Sequence, residues 1–367
     1  MVLQIPDSSL RVDILTGRRV IVAPGRSQRP GAVSSDPDLT DPAEGNPFVQ
    51  GNESHTPNER LALRQADSLP NTTGWLIRVV PNQFPSVFSR CDNSAQSVDG
   101  PFKSLPLCGI HEIVVESPVT HRRLTELSVA ETARILMAWQ RRVRDLEQHP
   151  QLKSITIFRN EGFSAGASLP HVHSQILATN VVPPQTATRL KKSSHHRNLC
   201  GNRLLQDLCT WEVADGSRIV FSDPQCLVLC PYAGRVSWQM RIVPRQSPFD
   251  SFSSCTDSQL INVAGQLHAA AAAIDRCAGQ LAMNLLLVQP PIENKTEGWF
   301  LDLMPRSARM AGYELATDVD VVSVAPEAAA ALLREQFQFR TAAPKEVVLS
   351  GYRWYENRCG FSKAADV

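Results

Sequence analysis

Two histidines and a glutamine stand at alternate positions, His171, His173 and Gln175, directly after a glycine-rich turn in the segment Asn160-Glu-Gly-Phe-Ser-Ala-Gly-Ala-Ser-Leu-Pro-His-Val-His-Ser-Gln175. A neutral imidazole can attack phosphorus and carry a nucleotidyl group as a covalent intermediate, while a neighbouring amide donates a hydrogen bond to the phosphate oxygens. Gly162, Gly166 and Ser168 let backbone N–H groups approach those oxygens closely. A bare His-x-His pair is also compatible with two satisfied, half-buried histidines, so the inference of phosphorus chemistry rests on the whole segment.

The groups need a frame. Residues 154–158 and 176–178 read as β-strands, and in a strand i, i+2 and i+4 share one face, so His171, His173 and Gln175 are expected to point the same way. Around them the chain repeats an order of elements. The first half runs through strands at 75–81 and 111–117, a helix at 128–147, a strand at 155–158 and the histidine strand. The second runs through strands at 226–230 and 238–244, a helix at 256–277, and strands at 283–288 and 299–304. This order implies an internal duplication and an α+β fold, each half an antiparallel sheet with helices on one side. Ser128 followed by Glu131 reads as a capping box, and Thr256 opens a long Ala/Leu-rich helix. Domains are expected at 1–190 and 200–340, with 341–367 a tail docked on the surface.

Residues 27–61 and 89–104, rich in Pro, Gly, Ser, Asn and Asp, read as long loops. The stretch 184–201 reads as the connection between domains, its Lys191-Lys-Ser-Ser-His-His-Arg197 run a solvated surface with no catalytic part for His195 or His196.

A chain of 367 residues exceeds what one core usually serves, and 43% apolar with 20% charged residues describes a globular protein. A formal net charge of +1 offers no electrostatic case for nucleic acid or membrane, which leaves small molecules as partners. No apolar run approaches the ~20 residues that span a bilayer. The opening Met1-Val-Leu-Gln-Ile-Pro-Asp7 lacks the basic and apolar regions of a signal peptide, so a cytoplasmic location is expected. Nine cysteines without a Cys-x2-Cys pair suggest reduced, mostly buried thiols, with Cys226 and Cys230 packed in a core strand.

The segment 160–175 resembles the active-site signature of galactose-1-phosphate uridylyltransferases and their nucleotidyltransferase relatives in the histidine triad superfamily, where Asn-x-Gly, a Gly-x-Ser turn and His-x-His-x-Gln recur together. The resemblance extends over roughly residues 10–335 and implies two histidine-triad-like domains. It places the nucleophile at His173, with Gln175, His171 and Ser168 beside it and Asn160, Gly162 and Gly166 as phosphate contacts. Val20-Ile-Val-Ala-Pro-Gly-Arg-Ser-Gln-Arg-Pro30 is similar to the family's opening block and makes Arg26 and Arg29 phosphate or nucleotide ligands. Arg78-Val-Val-Pro-Asn-Gln-Phe-Pro85 is similar to a segment lining the nucleoside pocket, making Asn82 and Phe84 contacts there. Ala311-Gly-Tyr-Glu314 resembles the sugar-binding block, with Tyr313 and Glu314 as hydroxyl or phosphate ligands. Gly51-Asn-Glu53 with Thr56-Pro-Asn-Glu59 matches a further block of the family.

Departures matter too. The family's structural zinc ligands fall on Asn46, Val49 and Thr120, with His121 displaced by one residue, so only His171 remains of four. Histidines of a second metal site fall on Val288, Gly298 and Phe300. No metal or other cofactor is therefore expected, and His171 is left to orient the phosphates or the active-site loop. The activity implied is a ping-pong UDP-glucose:hexose-1-phosphate (galactose-1-phosphate) uridylyltransferase, with a nucleotide sugar and sugar 1-phosphate as partners. The alternatives are an ADP-glucose or dinucleoside polyphosphate phosphorylase, with phosphate as acceptor, and a non-catalytic nucleotide-binding relative. The resemblance also allows a homodimer.

Overall fold

Alternating and continuous runs of β-branched and apolar residues build the frame, punctuated by two strongly capped helices. The computed structural model describes residues 7–28, 39–41, 45–90, 101–245 and 251–357. Strands β1 (Ser9–Val12), β2 (Arg19–Val22), β3 (Leu61–Gln65), β4 (Trp75–Pro81) and β5 (Gly109–Val115) lead to helix α1 (Val129–Leu146), β6 (Ser154–Glu161) and β7 (His173–Thr179). Helices α2 (Pro184–Cys200) and α3 (Leu204–Asp215) precede β8 (Ile219–Ser222), β9 (Cys226–Leu229), β10 (Met240–Pro244), α4 (Asp257–Ala278), β11 (Met283–Val288) and β12 (Phe300–Pro305). The remainder forms α5 (Gly312–Thr317), β13 (Asp320–Val322), α6 (Pro326–Gln336), α7 (Pro344–Val347) and β14 (Tyr352–Glu356).

Eleven strands make one sheet in the order β14-β3-β4-β5-β7-β6-β11-β12-β10-β9-β8, every adjacent pair antiparallel. The halves meet where β6 pairs with β11, Asn160 opposite Asn284. They share a continuous sheet rather than carrying one each. Outward from that seam both follow one order: β6, β7, β5, β4 on one side and β11, β12, β10, β9 on the other. A separate three-stranded sheet joins β1, β2 and β13, the last parallel to β2.

Both expected capping boxes are present, Ser128 with Glu131 on α1 and Thr256 with Gln259 on α4; each N-cap side chain is worth about 1 kcal/mol. The two helices pack together over one face of the sheet. Trp139 of α1 reaches Ser174 of β7, its indole N–H donating at 2.7 Å, and Arg142 grips Glu112 of β5 through two bonds of 2.8 and 2.7 Å. Removing one partner of such a buried pair typically costs about 3–5 kcal/mol. The strands lie close here: a Cβ on Gly109 would come within 2.0 Å of the Ala178 carbonyl. Burial on this side commits Glu112, Val114, Ser174 and Ile176 to the helices. Register then turns His111, Ile113, Val115, His173 and Gln175 to the opposite face.

Several expectations change. Helices lie on one side only in the first half; in the second, α3 covers the other face, where Leu204 and Leu205 pack with Leu227, Leu229 and Phe300. The connection at 184–201 is the helix α2, closed by Gly201 at a φ of 76°, and its Ser193 is buried against Glu297. The tail is no passive appendage. Val347 enters the main core, and β14 extends the sheet along β3. Cys226 and Cys230 are buried in the core as expected, and Cys200, Cys209, Cys255 and Cys277 are also reduced thiols, though exposed or only half-buried; Cys108 alone among the described cysteines departs from the expectation of reduced thiols, being disulfide-bonded. Among the described residues no helix is long and apolar enough to cross a membrane.

Candidate active site

β7 begins at His173, so the shared face holds for His173 and Gln175 while His171 sits in the bend before the strand. His173 is 6% exposed, and its ring lies 5.3 Å from that of Phe48, which also meets the His171 ring edge-on at 6.0 Å. A backbone carbonyl can only accept. The contact of 2.7 Å between His173 Nδ1 and the His171 carbonyl therefore places the ring proton on Nδ1 and leaves the lone pair on Nε2. Burial, helped by the like charges of Arg159 and His171, pushes the His173 pKa down to about 4 against the raising effect of that hydrogen bond. The ring is neutral at pH 7 with Nε2 ready as a nucleophile. Arg159 itself is held by Glu116 and Glu161, the latter at 3.1 Å.

His171 is oriented by the same kind of logic. Its Nε2–H donates to the Ser117 carbonyl at 2.9 Å, so Nδ1 accepts from the Asn46 amide at 3.1 Å. The Asn46 oxygen is occupied by the Phe48 N–H at 3.0 Å, which fixes the amide with its nitrogen toward the ring. Asn46 also approaches the Thr120 hydroxyl at 3.4 Å, and the displaced His121 turns to Glu126 at 3.7 Å. The positions of the family's zinc ligands thus hold one another by hydrogen bonds. An amide donor faces the only imidazole, and no thiolate or carboxylate is present in the set, so these residues do not fit zinc. At the second metal position Phe300 lies over the Arg241 guanidinium, 3.9 Å from ring centroid to Cζ, above a bidentate Arg241–Asp302 pair. Among the described residues no group of three His, Cys, Asp or Glu is placed to hold a metal ion.

The turn after β6 depends on its glycines, with φ of 85° at Gly162 and 88° at Gly166. Ser168 is exposed at its far end. The second half braces this turn: Asn284 of β11 donates to the Asn160 side-chain oxygen and to the Ala165 carbonyl, both at 2.8 Å, and its own oxygen accepts from Arg306. A cleft of about 360 Å³ touches the row at His171 and is lined by Asn160, Gly162, Arg122, Arg123 and Arg159. Another of about 310 Å³ touches it at His111, beside Asn82, Phe88 and Arg142.

Other expected ligands are less closely gathered. Asn82 lies against His111, and Phe84 is 83% exposed, free to stack on a base. Arg26 is exposed on a short turn; Arg29 lies outside the described residues. Tyr313 and Glu314 are on the exposed α5, Glu314 capping it through the Ala311 N–H. No hydrogen bond among the described residues ties Arg26, Tyr313 or Glu314 to the His173 cluster, whereas the Phe84 N–H donates to Asn82 Oδ1 at 2.9 Å. Sequence reasoning missed His111 and Asn284. His111 was detectable as a polar residue at the head of the strand expected at 111–117, whereas Asn284 is placed only by the β6–β11 pairing. The family block before β4 is structural: Glu53 accepts from the Trp75 indole at 2.7 Å, and Glu59 neutralises Arg64 and Arg78 in full burial.

Residues 3–183 match the family described as galactose-1-phosphate uridyl transferase, N-terminal domain. The chain is 28% identical over 335 residues to ADP-glucose phosphorylase of Arabidopsis thaliana, covering 89% of this chain and 92% of that protein. It is 27% identical over 271 residues to galactose-1-phosphate uridylyltransferase of Thermotoga maritima, covering 69% and 82%. The crystal structure of an Arabidopsis thaliana ADP-glucose phosphorylase with bound ADP-glucose superimposes with a TM-score of 0.73 at 25% identity, over 90% of this chain and 99% of that one. With the signature, the histidine geometry and the shared fold, these matches show that the chain belongs to the galactose-1-phosphate uridylyltransferase-like family of nucleotidyltransferases and phosphorylases.

Proposed function

We propose that the protein is a nucleotide-sugar phosphorylase of the ADP-glucose type, moving a nucleotidyl group from a nucleoside-diphosphate sugar through His173 to inorganic phosphate. The observation that carries the chemistry is the neutral, buried His173 with Nδ1 bound to a backbone carbonyl and Nε2 free to attack. Nε2 bonds to the α-phosphorus as the bond to the bridging oxygen breaks, and sugar 1-phosphate departs with that oxygen and its electron pair. A phosphate oxygen then attacks the same phosphorus, forming a nucleoside diphosphate and returning the pair to Nε2. Both leaving groups are weak bases or a protonatable nitrogen, so no third histidine is required as acid. Gln175 and the turn at Gly162–Gly166 serve the charge on the transferring group.

The phosphorylase reading is preferred to hexose-1-phosphate uridylyl transfer because the Arabidopsis thaliana phosphorylase is 28% identical over 89% of the chain, whereas uridylyltransferases that match are 27% identical over 69% of it or 24% identical over 90%. ADP-glucose and UDP-glucose, each offered phosphate and galactose 1-phosphate, separate the two. ADP-glucose with phosphate is expected to be the fastest pair, yielding ADP and glucose 1-phosphate; faster turnover of UDP-glucose with galactose 1-phosphate would reverse the assignment. The reaction is proposed to run without a tightly bound metal, since Asn46, Thr120 and His171 satisfy one another. Elemental analysis should find well under one zinc per chain, and EDTA should leave the rate and the melting temperature unchanged. One equivalent of zinc lost together with activity would overturn this.

A further inference from the structure

Gln175 helps transfer only if its amide nitrogen, not its carbonyl oxygen, faces the phosphate. One neighbour decides which. The Ser86 backbone N–H, which can only donate, points at His111 Nδ1 from 3.1 Å, so that nitrogen carries the lone pair. The proton of the neutral ring is then on Nε2, 2.9 Å from Gln175 Oε1, and the Gln175 oxygen must accept. With its oxygen occupied, the amide directs its N–H groups away from His111. Gln175 sits opposite Ile113 and His173 opposite Val115, which keeps these side chains on one face of the sheet with His111. The imidazole is itself held. Asn82 Nδ2 lies 3.5 Å from Nδ1 and 3.2 Å from Nε2 of the ring, while Asn82 Oδ1 accepts from the Phe84 N–H at 2.9 Å and so fixes which end of the amide faces the imidazole. His111 is 8% exposed.

We propose that His111 is a positioning residue: the chain Ser86 N–H to His111 to Gln175 Oε1 fixes the Gln175 amide with its donors toward the phosphoryl group on His173. This rests on the reading of Gln175 as a phosphate-facing donor and adds the group that sets its orientation. Without the imidazole, the amide can turn over and present its oxygen to the phosphate, replacing attraction by repulsion.

The test is the single-turnover rate of label transfer from α-³²P ADP-glucose, with α-³²P UDP-glucose in parallel, to His173. His111→Ala and the volume-keeping His111→Phe should slow the step by a factor approaching the about 10²–10³ of losing an oxyanion donor, with nucleotide-sugar Kd nearly unchanged. His111→Gln, which retains an N–H donor toward Gln175, should recover most of the rate. The double variant His111→Ala/Gln175→Ala should be no slower than Gln175→Ala alone. Parental rates in His111→Ala and His111→Phe, or losses that add in the double variant, would overturn the proposal. If Gln175→Ala is slow and the His111 variants are not, only the positioning role falls; if Gln175→Ala transfers at the parental rate, the donor role of Gln175 falls and the positioning role with it.

Discussion

Replacing His173 with alanine should abolish nucleotidyl transfer, a loss on the order of 10⁵–10⁶ if it behaves like removal of other covalent nucleophiles. Binding of the nucleotide sugar should persist, because the ring is buried against Phe48 and bonded to its own backbone. His173→Gly should be partly rescued by added imidazole, which re-supplies the nitrogen but not its orientation. In the parent, the pH profile of the first transfer step reports the same group. Its pKa is lowered from 6.5 to about 4, so the nucleophilic neutral form dominates above that value and is lost only as pH falls through it. The matching contribution to stability has the same sign, being full above 6.5 and declining as the pH drops toward 4. A pH-jump single-turnover experiment should therefore show a flat rate through neutrality and an acid limb near pH 4. An inflection near 6.5 would mean a solvated ring, and normal turnover by the alanine variant would remove both the mechanism and the assignment of the nucleophile.

Substitution of Gln175 should have the next largest effect. Gln175→Ala removes a donor to the transferring group and should slow formation and discharge of the intermediate by about 10²–10³. An amide cannot deliver a proton, so the nucleotidylated His173 should persist in water and discharge to phosphate-bearing acceptors. Gln175→His changes that. A histidine there can act as general acid and base, with His111 Nε2 as its neighbour in place of the present 2.9 Å contact, and should raise hydrolysis relative to transfer. The measurement is the partition of labelled intermediate between water and phosphate in a single turnover. An unaltered partition in the histidine variant, or rapid hydrolysis by the parent, would show that this position does not choose the acceptor.

Much of the site is local, and local features are legible in the sequence. Strand alternation aims His173 and Gln175 together, Gly162 and Gly166 take the positive φ a tight turn needs, and Ser128 and Thr256 cap the helices that support the sheet. These depend on spacings of a few residues, where the backbone leaves little choice. Other roles were decided by contacts between distant segments. Asn284 reaches Asn160 across 124 residues, and Asn46 reaches His171 across 125. Whether His171 serves phosphate, metal or loop depended on which groups filled its two ring nitrogens, and these are the Asn46 amide and the Ser117 carbonyl. The strand β14 shows little pattern by itself because its partner β3 supplies the ladder. The orientation of the Gln175 amide likewise follows from a proton on His111 that only the Ser86 N–H assigns, since imidazole tautomers and amide directions are properties of a closed hydrogen-bond network and not of any one residue in it.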